Sequence, residues 1–143
     1  MASKKILVLC TGNSCRSQMA EGYLKHFAGE TADTYSAGIQ AHGLNKTAVQ
    51  VMQEDGIDIS HQTSNLVADY KNISFDFIIT VCDNAKENCP YFPSDGVRLH
   101  CNFLDPAKAS GTDVDIFNAF RSVRDQIKHY CRGFVNEYII QDA

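Results

Sequence analysis

Ile6-Leu7-Val8-Leu9-Cys10-Thr11-Gly12-Asn13-Ser14-Cys15-Arg16-Ser17 passes from a continuous apolar run, through a short polar loop, into a stretch with helical spacing. A buried strand ending at Cys10 and a helix beginning near Arg16 leave loop N–H groups that converge on one point, and such a nest attracts a tetrahedral anion. Gly12 and Asn13 tolerate the positive φ angles that a tight nest demands. Arg16 adds a planar fork able to clamp two oxygens, and the helix N-terminus adds partial positive charge. The candidate substrate-binding set is therefore Thr11, Gly12, Asn13, Ser14, Cys15 and Arg16. The same features favour a thiolate at Cys10, expected to titrate in the range of about 3.5–7.5, which makes it the candidate nucleophile at neutral pH. Ser17 offers a hydroxyl to steady that sulfur, although its residue type suits a helix N-cap equally well.

Cys10 and Cys15 also admit a metal half-site, completed by Cys82, Cys89 and His100. Zinc sites favour tight C-x2-4-C pairs, however, and a metal leaves Arg16 without a task. No metal is assigned.

The 143 residues, 44% of them hydrophobic, suffice for one domain spanning residues 1–143 with a proper core. A net charge of −4 argues against a nucleic-acid surface. The apolar run after Lys4 and Lys5 is too short for a secretory segment, and no later run has membrane-spanning length. A cytoplasmic protein with reduced thiols is expected, so the six cysteines read as chemistry or packing rather than as a disulfide framework.

Around the opening stretch, strands are expected at Lys5 to Leu9, Thr34 to Ser36, Phe75 to Cys82 and Val97 to Cys101. Helices are expected at Arg16 to Phe27, with Gly29 as its stop, at Leu44 to Glu54, and at Val114 to Tyr138 with Gly133 as a weak point. Alternating strands and helices, with continuous apolar strands, imply a three-layer α/β domain whose parallel sheet has helices on both faces. In a four-stranded order of 2-1-3-4, Cys10 and Cys82 end neighbouring strands at the carboxyl rim, where such sheets bind ligands.

The runs CTGNSCRSQMAEG from Cys10, YSAGI from Tyr35, TVCDNAKENCP from Thr80 and the pair Asp105-Pro106 resemble arsenate reductases of the low-molecular-weight tyrosine phosphatase superfamily. The resemblance spans nearly the whole chain. Cys82 and Cys89 look like the redox pair that separates the thioredoxin-coupled reductases from the phosphatases. By that resemblance, Cys10 attacks arsenate held by the loop amides and Arg16, and Asp105 protonates the departing oxygen. Cys82 then attacks Cys10 and arsenite leaves. Cys89 next draws the disulfide out to Cys82–Cys89, where thioredoxin, or a glutaredoxin-like protein, opens it. No tightly bound cofactor, no nucleic acid, no membrane and a monomer are implied. Some relatives hold a potassium ion through side chains matching Asn13, Glu21, Thr63 and an aspartate, where this chain carries Asn65.

If Asn84 to Cys89 is helical in the reduced state, its separation from Cys82 corresponds to a rise of roughly 10 Å, whereas a disulfide needs Cα atoms within about 7 Å. The segment Asp83 to Pro93 is therefore expected to unwind on oxidation and to expose Tyr91 and Phe92. Cys101 and Cys131 read as packing residues, and the five histidines as surface or core groups. The alternative activity is a phosphatase using only Cys10, Arg16 and Asp105 through a thiophosphate intermediate. Gln18 stands where phosphatases usually carry proline. A third reading, a redox or metal-binding module without catalysis, predicts no dependence on oxyanions.

Overall fold

β-Branched and leucine side chains dominate the strands, and the sheet they build orders everything else. The computed structural model describes residues 4–82 and 91–140. Strands β1 (Lys4–Leu9), β2 (Ala32–Ala37), β3 (Phe77–Thr80) and β4 (Val97–His100) pair in the parallel order β2-β1-β3-β4. β1 lies at the centre, with Leu9 opposite Ala37 on one side and Thr80 on the other. That register brings the exits of β1 and β3 side by side, about one strand spacing of 4.8 Å apart.

Helices α1 (Arg16–Ala28), α2 (Lys46–Glu54) and α3 (Asp113–Phe134) follow the expected order. Local chemistry sets their limits. Gly29 ends α1 with φ +57°, a left-handed value that glycine adopts without cost. Asn45 caps α2, its side chain accepting the Ala48 N–H, so Leu44 stays outside the helix. Thr112 and Asp115 form a capping box that starts α3 one residue before Val114. Beyond Phe134 the backbone widens into a π-helical turn, Val135–Ile139, which begins two residues after the glycine read as a weak point. β3 is shorter than its apolar run because Val81 and Cys82 already turn out of the ladder, although the Val81 N–H still reaches the Leu9 carbonyl.

The two faces of the sheet are covered unequally. α1, α2 and α3 pack on one face over a large core that includes Ile6, Val8, Met19, Leu24, Met52, Phe120 and Ile127. The opposite core contains Leu7, Leu9, Phe75, Ile78 and Phe92, and its described helical cover is the 3-10 turn Val67–Tyr70. There Tyr35, Tyr70, Phe75 and Phe92 meet edge to face with ring centroids 5.2–6.5 Å apart, filling with aromatic area what long helices supply opposite. No helix among the described residues is long and apolar enough to cross a membrane.

Candidate active site

The loop between β1 and α1 forms the floor of an open cleft of about 420 Å³. Residues Cys10 to Arg16 line it, together with Ile39, Gln40, His42, Asp105 and Lys108. All six candidate substrate-binding positions thus face one cavity. The nest depends on Asn13, whose φ of +48° is the one left-handed value at a non-glycine among the described residues. That conformation is held from several directions. Asn13 Nδ2 donates to Ser17 Oγ at 2.8 Å and to Ser36 Oγ at 2.9 Å, while its Oδ1 accepts the Asn65 N–H at 2.6 Å.

Gln18 adds a brace that sequence reasoning noted only as a departure from proline. Its Nε2 donates to the Asn13 carbonyl at 3.0 Å and to the Thr63 carbonyl at 2.9 Å, and Gln62 in turn donates to Gln18. A proline there could make neither bond. Gly38 is a second omission. A Cβ on it would lie 2.6 Å from the Thr11 carbonyl oxygen and 2.8 Å from that of Cys10, so only glycine lets β2 pass this close beneath the loop. The glycine of the Tyr35 to Ile39 motif was the available signal. His42, read as one of five scattered histidines, lines the cleft, with its ring against Gly12 and bonded to Gln40.

Arg16 is 3% exposed, donates to the Phe103 carbonyl at 3.0 Å, and stands 3.7 Å from the Asp105 carboxylate. The pair brings the candidate acid to the cleft beside the candidate clamp. Asp105 is itself oriented by the Ala107 N–H, bonded to its Oδ1 at 3.0 Å. Ser17 does not cap α1. That position belongs to Cys15, and the hydroxyl of Ser17, one residue inside the helix, meets Asn13. Cys15 lines the cleft yet belongs to the main core, where burial pushes its thiol up.

Cys82 is wholly buried beside Cys10. Its thiol lies 3.9 Å from the Leu9 carbonyl, and the Thr11 hydroxyl lies 3.9 Å from its sulfur. The expected low titration of Cys10 is not found. A hydrogen bond to the Cys82 side chain is the largest influence and, with burial, pushes the Cys10 thiol well above its ordinary range. The Arg16 charge and the Thr11 backbone N–H act in the opposite sense and are outweighed. The sequence displayed the groups that stabilise a thiolate but not the sulfur across the rim.

Cys89, and with it most of the segment expected to unwind, lies outside the described residues. Of its far end, Tyr91 is exposed while Phe92 is buried against Phe75. Cys131 is buried on the inner face of α3, as its spacing implied, and Cys101 is half-buried. The side chains matching the potassium set of some relatives do not fit a cation here. The amide oxygen of Asn13 is taken by Asn65, and the oxygens of Glu21 receive Ser36 and the Lys25 ammonium.

Together the sheet and cleft define a class: α/β proteins whose first strand–loop–helix unit carries an oxyanion-binding cysteine and arginine at the carboxyl rim. A sequence model of the family described as low molecular weight phosphotyrosine protein phosphatase matches residues 5–142, and the chain belongs to this family. It is 52% identical over 134 residues to a protein of Halalkalibacterium halodurans named arsenate reductase, covering 94% of this chain and 96% of that one. It is 48% identical over 135 residues to the arsenate reductase of Bacillus subtilis, covering 94% and 96%. Among solved structures, it is similar to an arsenate reductase in the oxidized state, at TM-score 0.79 and 30% identity, and to one in the phosphate binding state, at TM-score 0.77 and 32% identity. Each match covers 92% of this chain and 96% of the other.

Proposed function

We propose that this chain reduces arsenate to arsenite by a three-thiol relay through Cys10, Cys82 and Cys89. The placement of the buried Cys82 thiol 3.9 Å from both the Leu9 carbonyl and the Thr11 hydroxyl, the residues on either side of Cys10, carries the reading. A hydrolytic phosphatase needs one thiol there, whereas electron transfer needs a second within reach of the first. The naming of the relatives as arsenate reductases supports the same conclusion.

Thr11 to Arg16 receive the arsenate oxygens. Because the Cys10 thiol is pushed up, the arsenate dianion acts as the base that takes its proton. The sulfur then bonds to arsenic, and one arsenate oxygen leaves as water with a proton from Asp105. Cys82 attacks the Cys10 sulfur. The S–As bond breaks, its electron pair stays on arsenic, and arsenic(V) becomes arsenic(III) as the Cys10–Cys82 disulfide forms. Cys89 exchanges into this disulfide, freeing Cys10, and an external dithiol reopens Cys82–Cys89. That reductant is thioredoxin or a glutaredoxin-like protein, acting in the cytoplasm on a monomer of one domain with no tightly bound cofactor. Phosphomonoester hydrolysis is the second reading, favoured by the family match, and it leaves Cys82 and Cys89 without a role.

The deciding experiment follows NADPH consumption by thioredoxin and its reductase when arsenate is added to the native protein and to Cys89→Ser. Sustained consumption in the native protein alone is expected. No consumption in either, together with turnover of p-nitrophenyl phosphate, would replace the reductase reading with the phosphatase one.

A further inference from the structure

A line of hydrogen bonds leaves the anion loop and ends near the surface at Lys25. Asn13 donates to Ser36 at 2.9 Å, Ser36 donates to Glu21 Oε1 at 2.5 Å, and Lys25 Nζ lies 2.5 Å from Glu21 Oε2. The Glu21 side chain is 8% exposed, while that of Lys25 is 43% exposed. The relay described above uses neither residue.

A carboxylate this deeply placed must be compensated, or its desolvation is costly. It also stands two side chains from a loop built to bind an anion, so an uncompensated charge would repel the ligand. The compensation is supplied by α1 itself. Glu21 and Lys25 are four residues apart with the acid on the N-terminal side, the favourable order, and Lys25 also meets the negative end of the helix. The same helix presents Arg16 and Ser17 at its other end.

We propose that Lys25 is a positioning residue for the anion loop. Its ammonium anchors and neutralises the buried Glu21 carboxylate, which through Ser36 fixes Asn13 in its left-handed conformation. Lys25 is the half-exposed partner and Glu21 keeps its bond from Ser36 when Lys25 is lost, so the loss should register more strongly in oxyanion affinity than in melting temperature. The inference rests on the reading of the loop as an oxyanion site.

Calorimetric titration with inorganic phosphate tests it on the native protein, Lys25→Met, Lys25→Arg, Glu21→Gln and the double variant, each with its melting temperature. Lys25→Met should bind phosphate about tenfold more weakly, the size of effect typical of a residue acting through a network. Lys25→Arg should bind as the native protein does, and both should melt within a few degrees of it. In the Glu21→Gln background, Lys25→Met should cost nothing further. Native-like affinity in Lys25→Met, or an equal loss in both backgrounds, would overturn the proposal. If Lys25→Met does not fold, Lys25→Gln is judged by the same criteria. Native protein that binds no phosphate would overturn the oxyanion reading, and this inference with it.

Discussion

Two strand ends meet at the rim of the sheet and are held in opposite ways. Beyond β1, the loop is tied down by side chains of α1 and β2 and by the Asn65 backbone N–H, with Asn13 donating to Ser17 and Ser36 and accepting from Gln18 and Asn65 through bonds of 2.6–3.0 Å. Beyond β3, Cys82 is as deeply buried, but it meets Leu9 and Thr11 through sulfur contacts of 3.9 Å. The first arrangement suits donors that must already point at a tetrahedral anion before it arrives. The second suits the two exchanges per turnover proposed for Cys82, since weak sulfur contacts are given up at little cost.

The largest test of this contrast is Cys10→Ser. It should reduce arsenate-dependent NADPH consumption to background while phosphate still binds by calorimetry, because the donors belong to the loop and not to the thiol. Gly38→Ala should come next. Its methyl group meets backbone on every side, so the loop must shift, with a loss of about 1–3 kcal/mol in chemical denaturation and a clear loss of phosphate affinity. Gly133→Ala is the matched control, since nothing lies within 4 Å of its Cβ, and it should raise stability by up to about 1 kcal/mol with affinity intact.

Cys82→Ala should stop turnover and also change Cys10 itself. Removing the largest influence that raises the Cys10 thiol shifts its iodoacetamide alkylation profile toward lower pH and so speeds labelling at neutral pH. A profile identical to that of the native protein would mean that the two sulfurs do not share a proton.

The smallest effect is expected far from the rim. At Asp55, burial works against the charge, but hydrogen bonds from Lys128 and Tyr23 outweigh it and hold the carboxyl below its usual range. A depressed carboxyl stabilises the fold above the ordinary carboxylate range, and that stability is lost as pH falls through its native value. Asp55→Asn should therefore cost about 1 kcal/mol near neutral pH, flatten part of the acid limb of a melting-temperature profile, and leave turnover unchanged.

Much of this was legible because it is local. Apolar runs and Gly29 announce strands and a helix end within a few residues, and Cys10 to Arg16 reads as an anion nest the same way, whereas the caps Asn45 and Thr112 went unread and the helix starts were placed at Leu44 and Val114 instead. What escaped depends on distant segments meeting. The aromatic cover of the thinner face draws Tyr35, Tyr70, Phe75 and Phe92 from well-separated positions. Gly38 and Gln18 show their purpose only once β2 and the Thr63 carbonyl lie against the loop. The elevated Cys10 thiol has the same origin, because the dominant influence comes from a residue 72 positions away rather than from the loop.

The relay itself is tested most directly by a single turnover without reductant. Reduced protein is mixed with excess arsenate, arsenite is quantified, and the disulfides are mapped by peptide mass spectrometry. The account predicts one arsenite per chain and a Cys82–Cys89 disulfide, shifting to Cys10–Cys82 in Cys89→Ser. No arsenite, with all thiols still free in protein that binds phosphate, would contradict it.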